Sequence, residues 1–162
     1  PEMAVDFDLV EAFLKEDMKR FNYILEEKYE DTYYGGIEDL EAQWITEGIA
    51  EYYAIELMRR AGGLSEERYQ KIREQLIGWS KPVKSLRTDN SSGPVTARAV
   101  LLLQELDREI RQATKDSTQP RSLDDVTRGL MRLDKATTKD FIEISENVMG
   151  GASDVLDSKL LR

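Results

Sequence analysis

The 162-residue sequence contains neither histidine nor cysteine. Without imidazole, Ser-His-Asp and Cys-His catalysis are excluded. So are H-E-x-x-H zinc binding and the E-x-x-H pairs of di-iron bundles. Without thiols there is no disulfide framework and no thiolate metal site. Only carboxylates remain to hold a metal, which favours hard cations over zinc. No apolar run approaches the length of a membrane span, and the amino terminus lacks a signal-peptide pattern. The start at Pro1 is what a trimmed chain would show, so the compartment stays open. Positive charge is also scarce: 23 Lys and Arg stand against 32 Asp and Glu, giving a net charge of −9 and a pI near 4.7. That balance argues against a phosphate-tracking nucleic-acid binder and against an anionic membrane surface.

What is present is an ordinary globular composition, 40% hydrophobic and 34% charged, in a chain long enough for one domain with a core. No segment alternates at period two, whereas several repeat at three- and four-residue steps, so the reading is all-α, a bundle of about six helices in a single domain spanning 1–162. Residues 7–29 form a first amphipathic helix carrying Phe7, Val10, Phe13, Leu14, Met18, Phe21, Leu25 and Tyr29. Tyr33 to Glu38 turns through Gly35-Gly36. The next stripe runs Leu40, Trp44, Ile45, Ile49, Tyr52, Tyr53, Leu57 and Met58, and Gly62-Gly63 stop it. Ser65 caps a third helix to about Trp79, with Tyr69, Ile72, Leu76 and Ile77 inward. Residues 80–93 form the one long loop, a place where function or mobility is often found.

From Pro94 the most apolar helix follows, to about Ala113; its Ala99, Val100, Leu102, Leu103, Leu106 and Ile110 put it at the bundle centre. Ser122-Leu123-Asp124-Asp125 gives a capping-box start with aspartate in place of glutamate. Thr138 is the expected cap of a helix from Lys139 to Met149, ended by Gly150-Gly151. Residues 154–161 add a short last helix. Glu47 stands out, a carboxylate set between Trp44, Ile45 and Ile49. Held by an arginine, a tyrosine hydroxyl or a helix end, it would serve the fold alone. Glu38, Asp39, Glu41, Glu47 and Glu51 also form an acidic cluster of a kind that could attract calcium, but there is no D-x-D-x-D-G loop, and a solvated acidic face is the usual explanation.

Trp44, Glu47, Gly48, Tyr52 and Tyr53, followed by Leu57, Arg60, Ala61, Gly62, Ser65, Glu66, Glu67 and Tyr69, match the pattern W-x-x-E-G-[FIT]-x-x-Y-Y and its continuation. This stretch resembles the third-ligand helix of gluzincin metallopeptidases, most nearly the glycyl-aminopeptidase family and more distantly the aminopeptidase N family. A second match follows in the same order: Leu106-Asp107, Ile110-Arg111 and Thr114, then Ser122 to Val126 and Leu130. Together the two cover about residues 40–150. A faint Gly-Gly-x-Glu echo lies at Gly35-Gly36-Ile37-Glu38.

The resemblance implies a fold like the helical part of that catalytic domain, with 38–149 as the shared region. It places Glu47 where the family has its zinc-binding glutamate and Thr96 where the family has an oxyanion-donating tyrosine, with Arg98 and Ala99 in place of the following basic residue and glycine. Near residues 23–29, where the family spacing puts H-E-x-x-H, the chain reads Tyr23-Ile24-Leu25-Glu26-Glu27-Lys28-Tyr29. Gly35-Gly36 running almost directly into Trp44 is what deletion of the histidine-bearing helix would leave. The resemblance therefore implies a non-catalytic binding or scaffold domain for a peptide or protein, with no cofactor. Its binding residues would be Trp44, Glu47, Tyr52 and Thr96, lining the former cleft beside the 80–93 loop. The alternative is the helical part of an active zinc aminopeptidase whose histidines lie outside these residues, with Glu47 its metal ligand. Oligomeric state is open.

Overall fold

The computed structural model describes residues 42–88, 93–133 and 136–162. Among them every regular element is helical. Five α-helices follow in order: α1 Gln43–Arg60, α2 Glu66–Ser80, α3 Gly93–Thr114, α4 Leu123–Leu130 and α5 Thr138–Met149. None is long and apolar enough to cross a membrane. The expected first helix and the Gly35-Gly36 turn lie outside the described residues, as do Leu40 and residues 38–41 of the acidic cluster.

Local chemistry sets the helix ends. At the close of α1, Gly62 adopts φ +78°, the Gly63 N–H donates to the Met58 carbonyl at 2.9 Å and the Gly62 N–H to that of Arg59 at 3.1 Å. That is a Schellman closure, and it needs a residue without a Cβ. The Ser65 hydroxyl caps α2 by accepting from the Arg68 N–H at 3.2 Å. Ser122 and Asp125 form the expected capping box of α4. The cap of α5 is Thr137, one residue before the expected Thr138, with Asp140 completing its box. Two adjacent hydroxyls were equally eligible, and the second is used elsewhere.

α3 is the axis. It packs against each of the other four helices, and its Ala99, Val100, Leu103, Leu106 and Ile110 are all fully buried. On one side Trp44, Ile45, Ile49, Leu123, Val126, Leu130 and Phe141 complete the main core. On the other, Ile55, Leu64, Tyr69 and Leu76 form a second cluster against Ala97, Val100 and Leu101. Two residues expected inside face out instead: Met58 is 40% exposed and Ile77 38%. Each lies at the margin of an apolar stripe wider than the face its neighbours cover.

The long connection is partly pinned. Leu86 is fully buried, and its N–H donates to the Leu160 carbonyl at 2.9 Å. Instead of a last α-helix over 154–161 there is a 3₁₀ turn, Lys159–Leu161. The segment before it is held by Glu109 of α3, whose carboxylate accepts from the Ser153 hydroxyl and from the N–H groups of Asp154 and Val155.

α1 and α3 approach closely at Gly48, where an added Cβ would lie 2.9 Å from the Ala99 Cβ. Alanine at 48 would gain about 1 kcal/mol of helix propensity but force the two backbones apart, an overpacking cost of about 1–3 kcal/mol. Gly48→Ala should therefore lower the urea midpoint, and pairing it with Ala99→Gly should recover part of the loss. A double-mutant cycle with no coupling between the two sites would refute this close contact.

Candidate functional site

Glu47 and Thr96 are 49 positions apart, and the fold brings them into contact: the Thr96 hydroxyl donates to Glu47 Oε2 at 3.1 Å. Glu47 Oε1 accepts from the Gln43 side-chain amide, one turn earlier on α1, at 3.2 Å. Both carboxylate oxygens are thus engaged by neutral donors on a partly exposed face. The side-chain partners of Glu47 are thus a threonine and an amide, in place of the arginine, tyrosine hydroxyl or helix end expected.

The other two expected binding residues point elsewhere. Trp44 is fully buried, donates its indole N–H to Thr138 Oγ1 at 3.1 Å, and packs edge-on to Phe141 with ring centroids 5.1 Å apart. Tyr52 is 2% exposed and stands edge-on to Tyr53 at 5.0 Å. It lines a cavity of about 270 Å³ among α1, α2 and α3, together with Tyr69 and Gln104. Glu47 and Thr96 do not line that cavity.

A zinc site needs three or four nitrogen, sulfur or carboxylate ligands. The chain supplies no histidine or cysteine, and among the described residues no group of three acids is placed to hold an ion. The donor set around Glu47, one carboxylate with an amide and a hydroxyl, does not fit zinc.

The most densely bonded polar centre is Asp124, 6% exposed in the first turn of α4. Its Oδ1 accepts from the Tyr53 hydroxyl at 2.7 Å, and Arg60 grips both oxygens, at 2.9 and 3.3 Å. Tyr53 also shares a 3.0 Å hydrogen bond with Thr127, and the Arg60 Nε donates to Glu56 at 3.1 Å. Burial alone would lower the Arg60 pKa, but the bond and charge of Asp124, with Glu56, outweigh it and the net shift is upward. A second aspartate reaches the same helix start: Asp107 of α3 accepts from the Leu123 N–H at 2.9 Å and from Arg111 at 2.7 Å. Sequence reasoning did not find the Asp124 centre. The available signal was Tyr53 and Arg60, seven residues apart on one face of α1, plus an aspartate left over beside the capping Asp125.

No family model, curated protein or solved structure matches the chain.

Asp124→Ala should destabilise the fold by about 2–3 kcal/mol, because it removes the charge-assisted bonds of a half-buried guanidinium and a buried phenol, leaving Arg60 with Glu56 and Tyr53 with Thr127. Asp125→Ala, which removes a cap and a partly exposed ion pair with Arg128 at 3.2 Å, should cost about 1 kcal/mol. Denaturant titration separates the two, and equal losses would rule out the Asp124 centre as the stronger tie. Alkali should act through Tyr52 and Tyr53. Burial first, and then neighbouring carboxylates (Asp107 and Glu56 for Tyr52, Asp124 for Tyr53), raise both phenols well above the ordinary 10.0. A raised folded pKa contributes stability that is complete below pH 10 and lost above it, as the unfolded phenol ionises first. The slope is about 1.4 kcal/mol per pH unit for each phenol. Urea midpoints at pH 8, 10 and 11 should fall across the last interval, and less steeply in Tyr52→Phe.

Proposed function

We propose that this chain is a metallopeptidase-like helical domain, related to the helical part of the glycyl-aminopeptidase gluzincins, that binds or scaffolds a peptide or protein without zinc catalysis. One observation carries the reading. In the resemblance, Glu47 stands at the zinc ligand's place and Thr96 at the oxyanion donor's; here the two are hydrogen-bonded to each other. A carboxylate satisfied by a hydroxyl and an amide keeps its negative charge but has no complementary ligand set, and a threonine lacks the reach of a phenol. What remains at the former cleft is a partly exposed acceptor suited to N–H donors, such as a peptide's amino end.

The rival proposal is that these residues are the helical part of an active zinc aminopeptidase, its histidines contributed from elsewhere. Glu47 would then exchange its present donors for the metal.

Zinc and short peptides distinguish the two. Zinc should leave the melting temperature of the chain where it leaves that of Glu47→Gln, since a metal bound only to the folded state must stabilise it. Titrating alanyl peptides with free amino ends should shift the amide resonances of Glu47 and Thr96 in the wild type and not in Glu47→Gln. Zinc stabilisation that Glu47→Gln abolishes, or chelator-sensitive release of amino acids by protein from its natural source, would favour the enzyme instead. Peptides that perturb neither residue would refute the binding reading.

A further inference from the structure

The cavity among α1, α2 and α3 lies apart from the Glu47–Thr96 pair and has its own chemistry. Arg59, Arg73 and Arg108, one from each helix, line it together with Tyr52, Tyr69 and Gln104. Arg59 stacks on the Tyr69 ring at 4.3 Å. Burial raises the Tyr69 pKa, while the charges of Arg59, Arg73 and Arg108 all oppose it against Glu56, so the three guanidiniums act on one phenol.

The two lining carboxylates are held by cations outside the cavity, although Glu56 also lies 3.9 Å from the lining Arg59. Glu56 bonds Arg60 at 3.1 Å, and Asp107 bonds Arg111 at 2.7 Å. Arg59 reaches an exposed carboxylate, Glu66, at 3.4 Å. Arg73 and Arg108 make no ion pair with a described residue. In a chain of net charge −9 this is a local concentration of positive charge, of which Arg73 and Arg108 have no ion-pair partner among the described residues.

Two neutral groups define what else a ligand must carry. Gln104 is 8% exposed, and its side-chain carbonyl oxygen has no hydrogen-bond partner. A buried acceptor without a donor is costly, and a ligand hydroxyl or amide relieves it. The hydroxyl of Tyr52, a residue that also lines the cavity, makes no hydrogen bond to a described residue. Its raised pKa keeps it protonated, a donor to an oxyanion at any physiological pH.

We infer that this three-helix cavity binds a small organic oxyanion that also carries a hydroxyl, with Arg73, Arg108 and Tyr52 taking the anionic oxygens and Gln104 accepting from the hydroxyl. Guanidinium forks match the paired oxygens of phosphate and carboxylate. A volume near 270 Å³ admits a compact metabolite rather than a polymer. Because Arg59 and Arg108 are exposed and Arg73 only partly buried, affinity should fall as salt rises.

Calorimetric titration with glycerol 3-phosphate, malate, sulfate and glycerol at matched ionic strength tests this. Glycerol 3-phosphate or malate should bind saturably, and whichever is tighter identifies a phosphoryl or a carboxylate ligand. Glycerol should not bind. Arg73→Gln/Arg108→Gln, with an unchanged circular dichroism spectrum, should weaken the better ligand at least about tenfold, the loss of one charge-assisted hydrogen bond. Gln104→Leu should weaken that ligand by about as much while leaving sulfate, which has charge but no donor, unaffected. Heat from neither organic anion, equal binding to the double variant, or equal binding to Gln104→Leu would each overturn the assignment. Comparing variants is essential, because phosphate-like anions stabilise most proteins by exclusion from their surfaces.

Discussion

The fold depends on how α4 is fastened to the two long helices before it. α4 has only eight residues, Leu123 to Leu130, too few to be stable alone. Its first turn is held from both sides: Tyr53 and Arg60 of α1 grip Asp124, and Asp107 of α3 takes the Leu123 N–H. The N-terminal dipole of α4 favours both carboxylates there. Leu123, Val126 and Leu130 then fill the floor of the main core. A buried ion pair of this type adds little over a hydrophobic substitute, but losing one partner is severe. Its value lies in admitting one arrangement of three helices.

That centre gives the sequence motifs a physical content that needs no metal. Tyr53, Arg60, Asp107, Arg111, Ser122 and Asp124 all belong to the two matched stretches, and all are engaged around the start of α4. Trp44 and Gly48 also serve packing, one through its buried indole and the other through the space it leaves for Ala99. The two motifs are separated in sequence because they come from different helices, and they occur together because those helices meet. Within the Trp44–Tyr53 part of the first motif, Glu47 is a residue whose side chain lies outside the core.

How much was legible in the sequence follows from the range of each interaction. Helix ends were readable, since Ser65, Asp125, Gly62 and Gly150 act on backbone within a turn of themselves. The central place of α3 followed from apolar residues on nearly every side of it. Leu86 was not readable: a single buried leucine in an aperiodic loop gives no pattern, and its partner lies at Leu160. Glu47 and Thr96 were both singled out, yet nothing in the sequence said that they bond to each other. The separation of Tyr52 from Glu47 was open to the helical period, since a step of five residues turns the helix by about 140°. Gln104 escaped notice altogether, one polar residue in a long apolar helix.

The Gly48–Ala99 contact has a mechanical consequence. Contacts between α1 and α3 advance together along both helices, from Glu47–Thr96 to Gly48–Ala99 and on to the cavity that Tyr52 and Gln104 line, so the helices run in the same sense. The tight contact is a notch: the missing Cβ at position 48 seats α1 against Ala99, so the two axes cannot slide past each other without Ala99 meeting a full side chain.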